Sequence, residues 1–542
     1  MKDAFSEIGI PIILIPSKTA LECLRETGAD YATPCGGRGQ CGKCKVRASG
    51  KDFAPITEEE RRFLTEAEID AGVRLACYLR GNGPCRIHLP KDIDDNLPAW
   101  NAGATSSQDA ALPMAPNDAQ GGLGVAVDLG TTKVHAELVD LSDGRVLAGA
   151  TELNAQRIFG ADIMSRLKAA CDGKQAALQQ RIADQLNRMT RRACRDAGIH
   201  GEAIRSVCIV GNTAMTHLLA DLPVSQLAHA PYLPFTVDAI SQPASKAGLT
   251  ACPAAELYLP PAVGGFIGSD HLAMIAATRI ERRRGTTLGI DIGTNTEIVL
   301  KKAGSDELLS ISCPSGPAFE GGEISCGMLA TPGAIVDLEQ APGGFVVRTI
   351  ADVPPQGICG SGMLRALQVF HQMGLVSPSG RIQVVPPYVR QNGHGRYIVL
   401  APEGPGGRGL VLTQDDINAL LLAKAAIAAG IFALLDHESL AVASIDQLIL
   451  AGSFGTHIDI DAAVAIGMLP PLLTERFIKA GNAAAAGARG ILMSGEYKTR
   501  VEQIAGKTRH LELQGQRLFR KLFAKAFYIP GLFKGCSGNQ AP

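Results

Sequence analysis

The sequence predicts a multidomain α/β protein, and three features of its 542 residues carry that expectation. Cysteines crowd the front of the chain, a run of small residues follows, and the remainder alternates short β runs with helical segments around an internal repeat. Length allows roughly three to four domains. Hydrophobic residues at 46% and charged residues at 19% suit globular domains with sizeable cores. We divide the chain at 1–95, 96–121, 122–206 and 207–542.

Residues 1–95 hold six of the fourteen cysteines. No export signal precedes them: Lys2, Asp3 and Glu7 leave no apolar h-region. Fourteen cysteines in such a chain point to reduced thiols or metal ligands in a cytoplasmic protein, not to a disulfide scaffold. Pro34-Cys35-Gly36-Gly37-Arg38-Gly39-Gln40-Cys41-Gly42-Lys43-Cys44 places three thiols at Cys-x5-Cys-x2-Cys, and Leu75-Ala76-Cys77 supplies a fourth. Four thiolates hold a [2Fe–2S] core, with the three clustered ones wrapping it on one loop. The glycines let that loop curl and turn N–H groups towards sulfur. A structural zinc site would favour paired Cys-x2-Cys knuckles, and one such pair exists here. The spacing matches plant-type and adrenodoxin-like ferredoxins. Cys85 competes with Cys77 for the fourth place, and the Leu-Ala-Cys context favours Cys77. Thr19 to Thr27 reads as a short helix with Thr19 and Glu22 as capping box, Gly28 as C-cap and Cys23 in its core.

Residues 96–121 (Asn-Leu-Pro-Ala-Trp-Asn-Ala-Gly-Ala-Thr-Ser-Ser and onward) lack apolar periodicity and read as a flexible tether. Beyond it lies the repeat. Gly124-Val125-Ala126-Val127-Asp128-Leu129-Gly130-Thr131-Thr132-Lys133-Val134 is echoed by Gly289-Ile290-Asp291-Ile292-Gly293-Thr294-Asn295-Thr296-Glu297-Ile298-Val299, with Asp128 and Asp291 163 positions apart. Each copy is an apolar strand ending in Asp, a Gly-Thr turn and a second β run. Gly-containing turns at Ser142-Asp143-Gly144 and Ala303-Gly304-Ser305 lead to a third strand. Two such units predict a duplicated domain with a cleft between its halves.

The turns have a chemical use. Glycine lets backbone N–H groups approach phosphate oxygens, and threonine hydroxyls add donors. A carboxylate at the strand end is a hard ligand able to hold Mg²⁺ through its waters. One Asp-x-Gly-Thr is weak; two in a repeat are a pattern. A third element, Leu448-Ile449-Leu450-Ala451-Gly452-Ser453-Phe454-Gly455, is a buried strand entering a glycine turn where a flat ring can lie. The two loops and this turn resemble the signature of the actin/sugar kinase/Hsp70 superfamily. A Gly-x4-Gly-Lys-Ser/Thr loop is absent, which excludes a P-loop NTPase.

Charge and hydropathy exclude other classes. A formal net charge of −1 gives no field towards nucleic acid or anionic lipid. Glu281-Arg282-Arg283-Arg284 reads as a solvated linker, and Arg517, Arg520, Lys521 and Lys525 as a solvated helix face. Ile10 to Pro16 is too short to cross a bilayer. Ile417 to Leu435 is alanine-rich and interrupted by Lys424. With Thr413-Gln414-Asp415-Asp416 as capping box, it reads as a buried helix.

A cluster domain, a tether and an actin-like unit in this order resemble the reductive activators of corrinoid-dependent methyltransferases. The likeness includes Val210-Gly211-Asn212-Thr213-Ala214-Met215, Pro314-Ser315-Gly316-Pro317-Ala318-Phe319-Glu320-Gly321-Gly322, Gly357-Ile358-Cys359-Gly360-Ser361-Gly362 and Gly467-Met468-Leu469-Pro470. It implies an N-terminal β-grasp, ferredoxin-like domain and a duplicated actin-like (ribonuclease H-like) ATPase. It implies ATP-dependent transfer of one electron, from a low-potential donor through the [2Fe–2S] centre to Co(II) in a corrinoid protein, giving Co(I). A plant-type centre sits near about −400 mV. The family's cobalt couple lies lower, and ~100 mV uphill corresponds to about 2.3 kcal/mol per electron, hence the ATP.

By the same resemblance Cys35, Cys41, Cys44 and Cys77 bind iron. Asp128 and Asp291 are the catalytic carboxylates near Mg²⁺. Gly130, Thr131, Thr132, Gly293, Thr294 and Asn295 meet phosphate, with Lys133 either on phosphate or turned outward. Gly452, Ser453 and Phe454 line the adenosine side. The resemblance also implies a homodimer. Relatives with C-terminal [4Fe–4S] clusters are excluded, since Cys536 stands there alone. The competing expectations are a ferredoxin-fused small-molecule kinase, an ATP-driven electron-transfer activator of a non-corrinoid enzyme, and an Hsp70-like binding module.

Overall fold

The structure is a computed structural model that describes residues 5–6, 8–27, 31, 37, 39, 42, 44–90, 121–393, 395–402, 409–513 and 517–536. The expected tether thus lies, but for Gly121, outside the described residues, as do Cys35 and Cys41.

Strands β1 (Ile10–Leu14), β2 (Lys45–Gly50), β3 (Val73–Leu75) and β4 (Gly83–His88) form an antiparallel sheet in the order β1-β4-β2-β3. Helix Ala20–Glu26 packs on it, opened by the expected capping box of Thr19 and Glu22 and closed at Thr27. Leu21 and Leu24 from the helix join Val46, Leu75 and Ile87 from the strands in one core, with Cys23 buried among them.

The repeat is visible in the topology. Strands β5 (Leu123–Leu129), β6 (Lys133–Asp140), β7 (Val146–Leu153), β8 (Ile204–Gly211), β9 (Ile240–Pro243) and β10 (Glu256–Leu259) form a sheet ordered β7-β6-β5-β8-β10-β9. Next come β11 (Thr287–Ile292), β12 (Thr296–Lys301) and β13 (Leu308–Cys313). An insertion carries two three-stranded sheets: β14 (Ala334–Ala341), β15 (Gly344–Thr349) and β16 (Gly357–Ile358), then β17 (Val389–Asn392), β18 (Gly395–Ala401) and β19 (Leu410–Thr413). Finally β20 (Gln447–Ala451), β21 (Phe477–Lys479) and β22 (Thr508–His510) complete a second sheet, β21-β20-β11-β12-β13-β22.

In both halves the first three strands form an antiparallel meander, and two further strands, β8 and β10 in one and β20 and β21 in the other, add in parallel on the side of the first strand. β8 is the counterpart of β20. The division expected at 206/207 therefore falls inside β8, which is hydrogen-bonded to β5 on one side and β10 on the other. β8, from Ile204 to Gly211, is the fourth strand of the first unit.

Two helices lie between the sheets: Ser269–Thr278, after β10, and Ala483–Met493, after β21. They share a core with Ala126, Val210, Val299 and Ile449, so one apolar cluster joins the halves. Their approach is close: a Cβ on Gly487 would stand 2.3 Å from the Ala273 carbonyl oxygen. Alanine or larger at Gly487 would force the helices apart.

Helix Gln414–His437 has the length and apolarity to cross a membrane, yet 78% of its most apolar window is buried inside the fold. It is a core helix, opened by the expected capping box of Thr413 and Asp416. Lys424, fully buried within it, donates to the Tyr528 carbonyl and so ties down the C-terminal segment. The Glu281–Arg284 run is less solvated than expected. Arg500 binds Glu281, and Arg283 donates to Gln447 and the Thr278 carbonyl, which fastens the chain between the halves. Gly467 is also structural: a Cβ there would overlap the Pro530 carbonyl oxygen at 1.7 Å.

Candidate functional site

The β5–β6 and β11–β12 turns face each other across the cleft. Thr132 Oγ1 lies 2.5 Å from Thr294 Oγ1, and both hydroxyls donate to Glu320 Oε2, at 3.0 and 2.5 Å. The two loops predicted from the repeat thus come together.

Each loop is held from behind through its carbonyls. In the first, Asn154 Nδ2 donates to Gly130 O at 2.8 Å, the Asn154 N–H donates to Thr132 O at 2.8 Å, and Arg166 Nη2 donates to Thr131 O at 2.6 Å. In the second, Ser315 Oγ donates to Gly293 O at 3.1 Å and the Gly316 N–H to Thr294 O at 2.9 Å. A trans peptide points its N–H opposite its C=O. Anchoring the carbonyls backwards therefore turns the following N–H groups towards the cleft, where an anion is recognised. Asn212, the N-cap of helix Thr213–Leu219, donates to Thr131 Oγ1 at 3.0 Å and sets that hydroxyl.

The carboxylates gather beside the loops. Asp128 is next to last in β5, where it accepts from Asn482 Nδ2 at 3.1 Å. Asp291, next to last in β11, abuts the glycine turn after β20. Gly452 adopts φ +84°, and a Cβ there would stand 2.6 Å from Asp291 Oδ1, so both backbone and space require glycine. Asp270 lies in the first turn of helix Ser269–Thr278, and Glu297 lies opposite Asp291 on β12. Burial, then Asp128, then Glu320 raise Asp291 to about 7. Burial and the neighbouring Asp128 and Asp291 raise Asp270 to about 8. Burial raises Asp128 too, opposed by His135 and Asn482. These groups repel one another, and a divalent cation would relieve them.

Among the described residues no three His, Cys, Asp or Glu side chains form a cage that could hold a metal ion alone. The donor set instead fits Mg²⁺, which keeps waters and shares phosphate oxygens rather than filling an all-protein cage.

Other expected residues fall as follows. Lys133 and Asn295 border their loops, and the Lys133 carbonyl lies 2.7 Å from where a Cβ on Gly130 would be. Phe454 is buried. The ring stacks on Phe319 (centroids 5.2 Å apart, planes 7° apart) under the N-terminus of helix Gly360–Gln372. This leaves Gly452 as the part of the turn that borders Asp291. The Ser453 side chain lies outside the described residues.

Asp270, Asn482 and Glu320 were missed as site residues, yet a signal existed. For the first two, Gly268-Ser269-Asp270 after β10 and Gly481-Asn482-Ala483 after β21 occupy corresponding places, and both open helices.

In the N-terminal domain, Cys44 Sγ and Cys77 Sγ lie 3.1 Å apart, both buried. This exceeds the ~2.05 Å of a disulfide and suits two thiolates on one iron centre. Cys85, the competitor, sits elsewhere: it pairs in register with Ile12 and Gly50, and its thiol is pushed up to about 11 by burial, with Cys23 as neighbour. Gly37, Gly39 and Gly42 all have positive φ, and a Cβ on them would meet Leu21, Tyr78 and Phe63 at 2.7, 2.2 and 2.5 Å. At these three positions only glycine fits.

Comparison with known proteins agrees with this geometry. Residues 14–80 match the family described as 2Fe-2S iron-sulfur cluster binding domain, residues 123–283 the RACo middle region, and residues 285–534 the C-terminal domain of RACo, the ASKHA domain. The corrinoid activation enzyme RamQ of Eubacterium limosum is 33% identical over 403 residues, covering 72% of this chain and 67% of RamQ. A [Co(II) methylated amine-specific corrinoid protein] reductase of Methanosarcina barkeri is 25% identical over 435 residues, 74% of this chain and 76% of the relative. A solved structure of a reductive activator for corrinoid, iron-sulfur protein superposes with a TM-score of 0.71 at 28% identity, covering 96% of this chain and 97% of that one. On these matches over its cysteine-bearing domain and its two repeated units, the chain belongs to the RACo family of corrinoid reductive activators.

Proposed function

We propose that this chain uses ATP to drive the one-electron reduction of a corrinoid protein, restoring Co(I) from inactive Co(II). The observation that carries the reading is the meeting of Thr132 and Thr294 across Glu320, one loop from each repeat, in the chain that also brings Cys44 and Cys77 together. A [2Fe–2S] centre on that cysteine loop supplies single electrons at low potential. Cys35, Cys41, Cys44 and Cys77 would hold that centre, and it would pass one electron at a time from a low-potential donor to Co(II) in the partner.

The chain's own groups do the rest. Backbone N–H groups of the Gly130–Lys133 and Gly293–Asn295 loops grip phosphate, with Thr131, Thr132 and Thr294 adding hydroxyls. Asp128 and Asp291 would hold Mg²⁺, with Asp270 beside them. The 2.5 Å contact between Thr132 and Thr294 leaves no room for a phosphate between them. Admitting one separates the loops and frees Glu320, and the halves resettle about their shared helical core. That movement links nucleotide to partner. We assign the first α/β unit to residues 122–284 and the second to 285–534.

The test is spectroscopic. Reduced, cluster-loaded protein mixed with Mg-ATP and a Co(II) corrinoid protein produces the absorption of Co(I). No Co(I) across the corrinoid proteins of the same cell, with or without nucleotide, contradicts the reading.

One mutation checks the phosphate grip. Asn154 is fully buried and donates to Gly130 O. Asn154→Asp puts an acceptor against that carbonyl, at about 1–3 kcal/mol for the unsatisfied group. Calorimetry is expected to show ATP affinity reduced about tenfold, with the visible absorption of the cluster unchanged.

A further inference from the structure

The two halves hold their phosphate loops alike but continue differently. In the second half, the segment past Ser315 turns through Ala318–Glu320 and returns to the cleft, where Glu320 binds both threonines. In the first half, Asn154 caps the equivalent turn, Ala155–Phe159. That turn leads away from the cleft to the cluster domain. Arg25 Nη2, on helix Ala20–Glu26, donates to the Ile158 carbonyl. The same guanidinium borders the cysteine loop, since a Cβ on Gly37 would lie 3.8 Å from Arg25 Nη1.

The path between is rigid. Asn154, Gln156 and Arg166 are fully buried. Gln156 Nε2 donates to Leu178 O at 3.0 Å, and the Ala155 N–H donates to Gln185 Oε1 at 2.8 Å. Arg166 spans the segment, with Nε on Gly160 O at 2.9 Å and Nη2 on Thr131 O at 2.6 Å. Every carbonyl from Gly130 to Thr132 is therefore held by residues 154–166, and the outer side of that segment carries the Arg25 contact.

We propose that residues 154–160 are the seat on which the cluster domain docks, and that phosphate on the first loop controls this docking through Asn154 and Arg166. The proposal rests on the reading of the cleft as an ATP site and of the cysteine loop as a cluster site. If nucleotide strengthens docking, docking strengthens nucleotide binding by the same factor.

The experiment is hydrogen–deuterium exchange on the full-length, iron- and sulfide-reconstituted protein, with and without Mg-ATP. It compares wild type, R25A and R25K, with ATP affinity measured by calorimetry. In wild type, Mg-ATP is expected to slow exchange both at residues 124–134 and in helix Ala20–Glu26. In R25A the first effect remains and the second is lost, and the Kd for ATP rises about fivefold. R25K, which keeps a donor for the Ile158 carbonyl, falls between. Two results overturn the proposal: helix Ala20–Glu26 responding to ATP in R25A as in wild type, or not responding in wild type while residues 124–134 do. Wild-type protein that binds no ATP, or stays colourless, overturns the underlying reading and the proposal with it. A loss of cluster in R25A alone leaves the wild-type comparison to decide.

Discussion

Cys77→Ser is expected to give a protein that stays colourless after anaerobic iron and sulfide addition and transfers no electrons, while ATP affinity remains within about twofold of wild type. Cys85→Ser keeps its cluster. Cys77 Sγ is 3.1 Å from Cys44 Sγ, whereas Cys85 lies on β4 with Cys23 as its thiol neighbour. Serine at position 85 replaces a buried thiol with a hydroxyl, costing about 1–3 kcal/mol of stability, which denaturant unfolding of the cluster-free protein will register. Cys41→Ser is expected to behave like Cys77→Ser. Visible absorption and iron content separate the outcomes: a coloured Cys77→Ser and a colourless Cys85→Ser would reverse the assignment.

The second large effect is at Asp291. Asp291→Asn is expected to weaken Mg-ATP binding about 100-fold and to abolish ATP-dependent reduction, yet to stabilise the protein without nucleotide above neutral pH. The sign follows from linkage. An unfolded Asp titrates near about 3.9, whereas folded Asp291 is raised to about 7 and Asp270 to about 8. The folded state therefore binds more protons between these values, and stability falls as pH rises through them. The melting temperature of nucleotide-free wild type is expected to drop between pH 5 and pH 8, and Asp291→Asn to flatten that slope. Mg-ATP flattens it in wild type, because the cation takes over the work of the proton, and leaves the variant unchanged. A slope identical in wild type and variant would place the repulsion elsewhere.

Much of this site was legible because duplication wrote it twice. Asp128 and Asp291 sit at equivalent strand ends, and the Gly-Thr turns after them follow from one local pattern: apolar run, carboxylate, glycine, hydroxyl. Capping boxes at Thr19 and Thr413 were equally local, and both form. What escaped the sequence depended on long-range meetings. Glu320 reaches Thr132 across 188 positions, and Asn482 reaches Asp128 across 354. No short window holds such pairs. The domain division failed for a related reason, since β8 is apolar like any buried strand and only its hydrogen bonds to β5 and β10 reveal which sheet owns it. Phe454, expected to line the adenosine side, stacks on Phe319, a partner 135 positions away that no local pattern reveals.

The central claim is that cysteine-bound iron and the phosphate cleft work as one device on cobalt. Electron paramagnetic resonance of a single turnover tests it most directly, because the reduced [2Fe–2S] centre and Co(II) both give signals and Co(I) gives none. With Mg-ATP present, the two signals are expected to disappear together and in equal amounts; without it, both persist. Loss of the Co(II) signal while the cluster signal stays, or equal loss of both without nucleotide, would contradict the account.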